Sequence, residues 1–136
     1  MNTFTKFTRT FLGKNFDNES LNNFWNSIIF YNYVQKPIKS SRRAPSSKMF
    51  INSEKAFFEI IEKYNPDIIF VWGNRLWKQL PNDNFSDNKM LMGKPCGFYD
   101  NKKRIIPTFY INHPSSGLEY EFWSKYIKKA LERIKQ

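Results

Sequence analysis

One cysteine (Cys96), one histidine (His113) and five glycines in 136 residues set the first limits on this chain. A lone cysteine excludes an internal disulfide framework, and together with a lone histidine it leaves no Cys/His metal cluster. There is no GxxxxGK[ST] or GxGxxG loop to cradle phosphates, and no GxSxG elbow to present a nucleophilic serine. Paired carboxylates at strand ends are missing too, and no cofactor is expected. No apolar stretch approaches the roughly 20 residues that span a bilayer, so no membrane association is expected. Residues 1–9 (MNTFTKFTR) lack the apolar centre of a secretion signal, and a cytoplasmic location is the expectation.

What is plentiful is aromatic and basic. Phe, Trp and Tyr make up 18% of the chain, far above the content of a disordered segment. Lys and Arg number 22 against 12 Asp and Glu, a net charge of +10. Such an excess favours polyanions, because each phosphate neutralised releases a counterion. Basic charge interleaved with aromatic rings suits a protein that handles unstacked bases. The length fits one domain, 1–136, in which residues 1–18 show no clear period and are left unassigned.

Periodicity places the elements. Leu21, Phe24, Trp25 and Ile28 have helical spacing around a short helix at 19–26. The compact run 27–34 (SIIFYNYV) reads as a buried strand. Residues 36–48 (KPIKSSRRAPSSK) hold two prolines, four serines and five basic residues, an exposed basic loop. A helix over 53–64 puts Phe57, Ile60, Ile61 and Tyr64 on one face and stops at Asn65-Pro66. A second buried strand follows at 67–72, ended by Gly73, with a short helix at 74–80 closed by Pro81. Residues 82–88 read as loop and 95–104 as irregular, with a turn at Asp100-Asn101. The run 105–111 is a third strand in which Pro107 marks an edge or a bulge. After the polar turn 112–117, Ser116-x-x-Glu119 fits a capping box for a last helix over 119–134. Trp72, Trp77 and Trp123 fall in periodic apolar segments and are assigned to the core. Strands alternating with helices predict an α/β fold, a three-layer α/β/α sandwich around a small, mostly parallel sheet. Ligands of such sheets sit at the carboxyl ends of the strands, which singles out Asn32, Gly73 and the turn 112–117.

Three segments in this order, SIIFYN, DIIFVWGNRLW and INHPSSG, resemble the carboxyl-terminal part of the uracil-DNA glycosylase superfamily. The likeness runs from about Phe24 to the end, with a diverged middle. It implies hydrolysis of an N-glycosidic bond in DNA, single-stranded or with a base flipped from the duplex. Asn32 would read the Watson–Crick edge of that base, since a carboxamide offers a donor and acceptors at once. His113 would be the catalytic donor to the charge that gathers on the leaving base. Ser115 and Ser116 would clamp DNA phosphate through hydroxyls and backbone N–H groups, joined by Arg42 and Arg43; a solvated charge run is the other reading of the arginines. Leu118 is the candidate for the apolar wedge, although Gly117 occupies the place where the family has its apolar residue.

The family's first motif, which resembles GQDPYH and carries the water-activating Asp in many members, has no counterpart before Glu19. In the family the strand ahead of that motif lies between those matching 27–34 and 67–72. Without it, the two strands either pair directly or leave exposed edges. Three explanations stand: an amino-terminally shortened relative, a degenerate member that binds without catalysis, or a diverged substitute within residues 4–16. The alternative function is a non-catalytic basic nucleic-acid-binding domain, or one that needs a partner chain to complete its sheet.

Overall fold

The computed structural model describes residues 3–34 and 45–135. Its elements in chain order are α1 (Thr3–Leu12), α2 (Asn18–Ser27), α3 (Ser47–Asn52), α4 (Glu54–Tyr64), β1 (Ile69–Trp72), α5 (Asn74–Gln79), β2 (Phe85–Leu91), β3 (Lys94–Asp100), β4 (Ile105–Ile111) and α6 (Tyr120–Glu132), with single 3-10 turns at Pro114–Ser116 and Arg133–Lys135. The fold is α/β. No helix among the described residues is long and apolar enough to cross a membrane.

The four strands stand in the order β1-β4-β3-β2. Only β1 and β4 run parallel; β4 with β3 and β3 with β2 are antiparallel. The expectation of a mostly parallel sheet is therefore corrected. Its source is a hairpin that fills the stretches read as loop and irregular. Met92 (φ 49°) and Gly93 (φ 79°) both adopt left-handed backbone, the geometry of a two-residue turn whose twist matches the strands it joins. A second tight turn returns β3 into β4: the Asn101 side-chain oxygen accepts from the N–H groups of Lys103 and Arg104.

Pro107 lies in an interior strand, not at an edge. It is tolerated because the parallel ladder with β1 begins one residue later, at Ile69 opposite Thr108, so its missing N–H falls outside that ladder. Arg104 ties this end of the sheet to the end of α4. Its guanidinium donates to the side chain and carbonyl of Asn65, and to Asp67 at 2.7 Å.

Alternation along the strands sends side chains to two cores. On one face Phe109, Ile111 and Cys96 meet Phe7 of α1, Phe24 of α2 and the α6 stripe Trp123, Tyr126, Ile127 and Ala130. On the other, Ile106 and Tyr99 meet Phe50 of α3, Phe57 and Ile61 of α4, and Tyr33. Each fully buried ring or branched chain contributes about 1.5–3 kcal/mol of transfer free energy.

Two segments differ from their sequence reading. Residues 3–12, left unassigned, are helix α1, whose Phe4, Phe7 and Phe11 repeat at i, i+3 and i+7 and pack on Phe24, Phe70 and Trp72. Residues 28–34 are not a strand. Ile28 packs into the first core and Tyr31, Tyr33 and Val34 into the second. Phe30 meets Trp72 at 5.3 Å between them. The segment thus passes round the β1 end of the sheet, which its rings achieve by packing to both sides without joining a ladder. The outer edge of β1 has no ladder partner among the described residues.

Candidate functional site

Because β1 and β4 are parallel neighbours in register, Trp72 opposite Ile111, their carboxyl ends release the chain side by side. The Gly73 N–H donates to the Ile111 carbonyl at 2.8 Å and locks the two exits together. Gly73 has φ 96° and ψ 152°, a conformation open almost only to glycine. From it α5 starts on one side, while Asn112 and His113 lead into the 3-10 turn on the other. Neighbouring parallel strand ends are where α/β sheets commonly place ligands, which makes these two exits the candidate site.

His113 is exposed at the start of that turn, its ring 5.7 Å from Trp72 in an edge-on contact. Its Nδ1 receives the backbone N–H of Ser115 at 3.1 Å, with the Ser115 hydroxyl at 2.7 Å. A backbone N–H can only donate, so Nδ1 is the acceptor and the neutral ring carries its hydrogen on Nε2. The turn therefore holds an imidazole whose other ring nitrogen, Nε2, is a donor.

The other expected residues are placed as follows. Asn32 is exposed in coil two residues beyond Phe30, so the reading of it as a strand-end residue is corrected with the strand itself. The hydroxyl-bearing Ser115 and Ser116 are exposed, but the N–H groups of Ser115, Ser116 and Gly117 all have acceptors inside the turn, namely His113 Nδ1 and the carbonyls of His113 and Pro114. Of the expected phosphate clamp, the backbone part is thus engaged within the turn, and so is the Ser115 hydroxyl at His113 Nδ1. Ser116 does not cap α6 either. The Glu119 carboxylate does so itself, accepting from Glu121 N–H at 2.9 Å and Phe122 N–H at 2.8 Å. Leu118 is half-buried and packs against the α6-side core. Arg42 and Arg43 lie outside the described residues.

Next to His113 an open recess of about 660 Å³ is lined by Lys6, Asn112, Gly117, Leu118, Glu119 and Trp123. Lys6 comes from α1 and directs its ammonium to the Pro114 carbonyl, at 3.4 Å. Asn112 is oriented by the Tyr110 hydroxyl, which donates to its side-chain oxygen at 2.8 Å. Neither Lys6 nor Phe4 was singled out from sequence. The signal that finds them is the Phe4, Phe7, Phe11 spacing, which makes a helix of residues with no other evident pattern. No family model matches the chain, and no curated protein or solved structure matches it significantly.

Proposed function

We propose that the chain is a uracil-DNA-glycosylase-like domain that receives a DNA base at the carboxyl ends of β1 and β4 and hydrolyses its N-glycosidic bond. The observation that carries this reading is the His113 imidazole. Its Nδ1 is occupied by Ser115, which leaves Nε2–H as the ring's donor, on an exposed residue beside the paired strand ends. When the sugar–base bond breaks, its electron pair goes to the base, and a donor at the base oxygen lowers the barrier; removing one such donor lowers rates by about 10²–10³-fold. Asn32 is the proposed reader of the base edge, and Ser115, Ser116, Arg42 and Arg43 the phosphate contacts. The net charge of +10 supports a DNA partner. A cytoplasmic setting goes with the reading.

One observation favours the second reading, a basic domain that binds DNA without catalysis. Glu119 is the carboxylate lining the recess, and both its oxygens accept N–H groups of α6. Capping α6 gives this carboxylate a structural task, and among the described residues no other carboxylate lines the recess. Base release from single-stranded oligonucleotides carrying uracil, hypoxanthine or normal bases separates the two. Release that falls about 10²-fold or more in His113→Ala, and falls also in Asn32→Ala, supports the glycosylase. A folded chain that releases none of these bases while retaining salt-sensitive DNA binding assigns it to the second class.

A further inference from the structure

We propose that residues 28–33 are a strap poised to close on the outer edge of β1 as a fifth, antiparallel strand, with Phe30 opposite Trp72 and Tyr33 opposite Ile69. Strand β1 stands at one edge of the sheet. The Gly73 N–H that follows it donates to the Ile111 carbonyl of β4, and backbone polar groups alternate in direction along a strand. Val71 therefore also faces β4, while Phe70 and Trp72 turn their N–H and C=O groups outward. Both residues are half-buried, and those groups have no backbone partner among the described residues. An edge of this kind is a template for whatever strand reaches it.

The strap already lies alongside with its side chains sorted. Ile28 is extended, at φ −116° and ψ 157°. It packs into the core that holds Phe70 and Trp72, and the Phe30 ring meets Trp72, whereas Tyr31 and Tyr33 pack into the core that holds Ile69. Residues 28 and 30 are thus on one side and 31 and 33 on the other, the alternation of a strand without its ladder. Direction follows from the two ends. Phe30 stands at Trp72, the last residue of β1, while Tyr33 shares a cluster with Ile69, the first residue of β1, and with Ile106 near the start of β4. The strap therefore runs from the carboxyl end of β1 to its amino end. Opposed residues of an antiparallel pair share a face, so this register keeps each side chain in its present core. It sets Asn32 opposite Phe70, and both outward-facing residues of β1 gain a partner with which to exchange two bonds. Closed, the strap completes the sheet from the chain itself and shuts the edge against another chain. It also adjoins the candidate site, since Trp72 meets His113 as well as Phe30. None of this depends on what the chain binds.

Amide hydrogen exchange resolved by NMR tests the strap on the unaltered chain. Phe30, Asn32, Phe70 and Trp72 are expected to exchange about tenfold or more slowly than free peptides, and by one common factor, since a single opening exposes all four. Asn32→Pro removes one ladder donor and should return Phe70 and Trp72 toward free-peptide rates, while Val71, paired with β4, stays slow. Asn32→Ala keeps the N–H and should preserve the protection. Free-peptide rates at Phe70 and Trp72 beside a slow Val71 in the unaltered chain overturn the proposal. Protection that survives Asn32→Pro in a variant with a cooperative melt overturns it too. So does protection that grows with protein concentration, which assigns the edge to a contact between copies.

Discussion

Gly73 and His113 are packed so closely that a β-carbon on Gly73 would stand 3.4 Å from the His113 Cβ and 3.9 Å from its Cδ2. Two parallel strands end here, and what calls for glycine at the first exit is its backbone, at φ 96°, more than the room beside the imidazole. Gly73→Ala meets both this contact and a backbone conformation that L residues rarely adopt. We expect a loss of about 1–3 kcal/mol in denaturant unfolding and a displaced His113 ring signal in NMR spectra. An alanine variant of unchanged stability and unchanged ring signal would show that the exit is not tightly built.

The Ser115 N–H fixes which imidazole nitrogen is free. At a pH where the ring is neutral, long-range proton–nitrogen spectra should show His113 with its hydrogen on Nε2. Ser115→Ala should keep that tautomer, because the donor is the backbone and not the hydroxyl. A ring hydrogen on Nδ1 would remove the Nε2 donor on which the proposed chemistry depends.

Two buried tyrosines should respond in opposite directions to loss of the hydroxyl. The Tyr99 hydroxyl donates to the Pro81 carbonyl at 2.9 Å, so Tyr99→Phe removes a bond and strands a buried acceptor, a loss of about 1–3 kcal/mol. The fully buried Tyr126 hydroxyl has no hydrogen-bond partner among the described residues. Tyr126→Phe should leave stability unchanged or raise it by about 1 kcal/mol. Paired urea melts of the two variants check both signs.

Burial pushes the phenols of Tyr33, Tyr99 and Tyr126 well above their ordinary range, with Glu54 adding to the effect at Tyr33 and Tyr99. A raised folded value means the native state holds these protons after the unfolded chain, at about pH 10, has released them. Their contribution to stability is fully present below about pH 10 and is lost as the pH rises beyond it. Phenolate absorbance should therefore include these three rings only as the circular dichroism of the helices collapses. Complete ionisation of all tyrosines at undiminished helix signal would contradict their burial.

The elements that could be read from sequence are those whose own pattern is decisive. Helix α4 carries its apolar face and its Asn65-Pro66 stop, and α6 its stripe of Trp123, Tyr126, Ile127 and Ala130, so both stand within a residue or two of their expected bounds. Strand β4 is as expected, and β1 is shorter by two residues. The stretch 28–34 misled because β-branched and aromatic composition measures burial, not ladder formation. Its rings are partly buried, but against both cores in turn. The β2–β3 hairpin was hidden because Met92-Gly93 lacks the usual Asn-Gly or Asp-Gly signature, although Gly93 still marks the turn. The closeness of Gly73 to His113 followed from the strand-end rule, which needs only that β1 and β4 be parallel neighbours. Helix α1 and its Lys6 were missed because a phenylalanine spacing among threonines was not read as a helical face.

Whether a DNA base reaches His113 can be observed without catalysis. Nitrogen-15 spectra of the imidazole, recorded as a single-stranded oligonucleotide containing one deoxyuridine is added, should show the Nε2 signal move as that nitrogen donates to the base. The same strand with an abasic site at that position should leave the signal where it was. A His113 signal that ignores both strands, or follows both equally, would mean that the base does not dock at the carboxyl ends of β1 and β4.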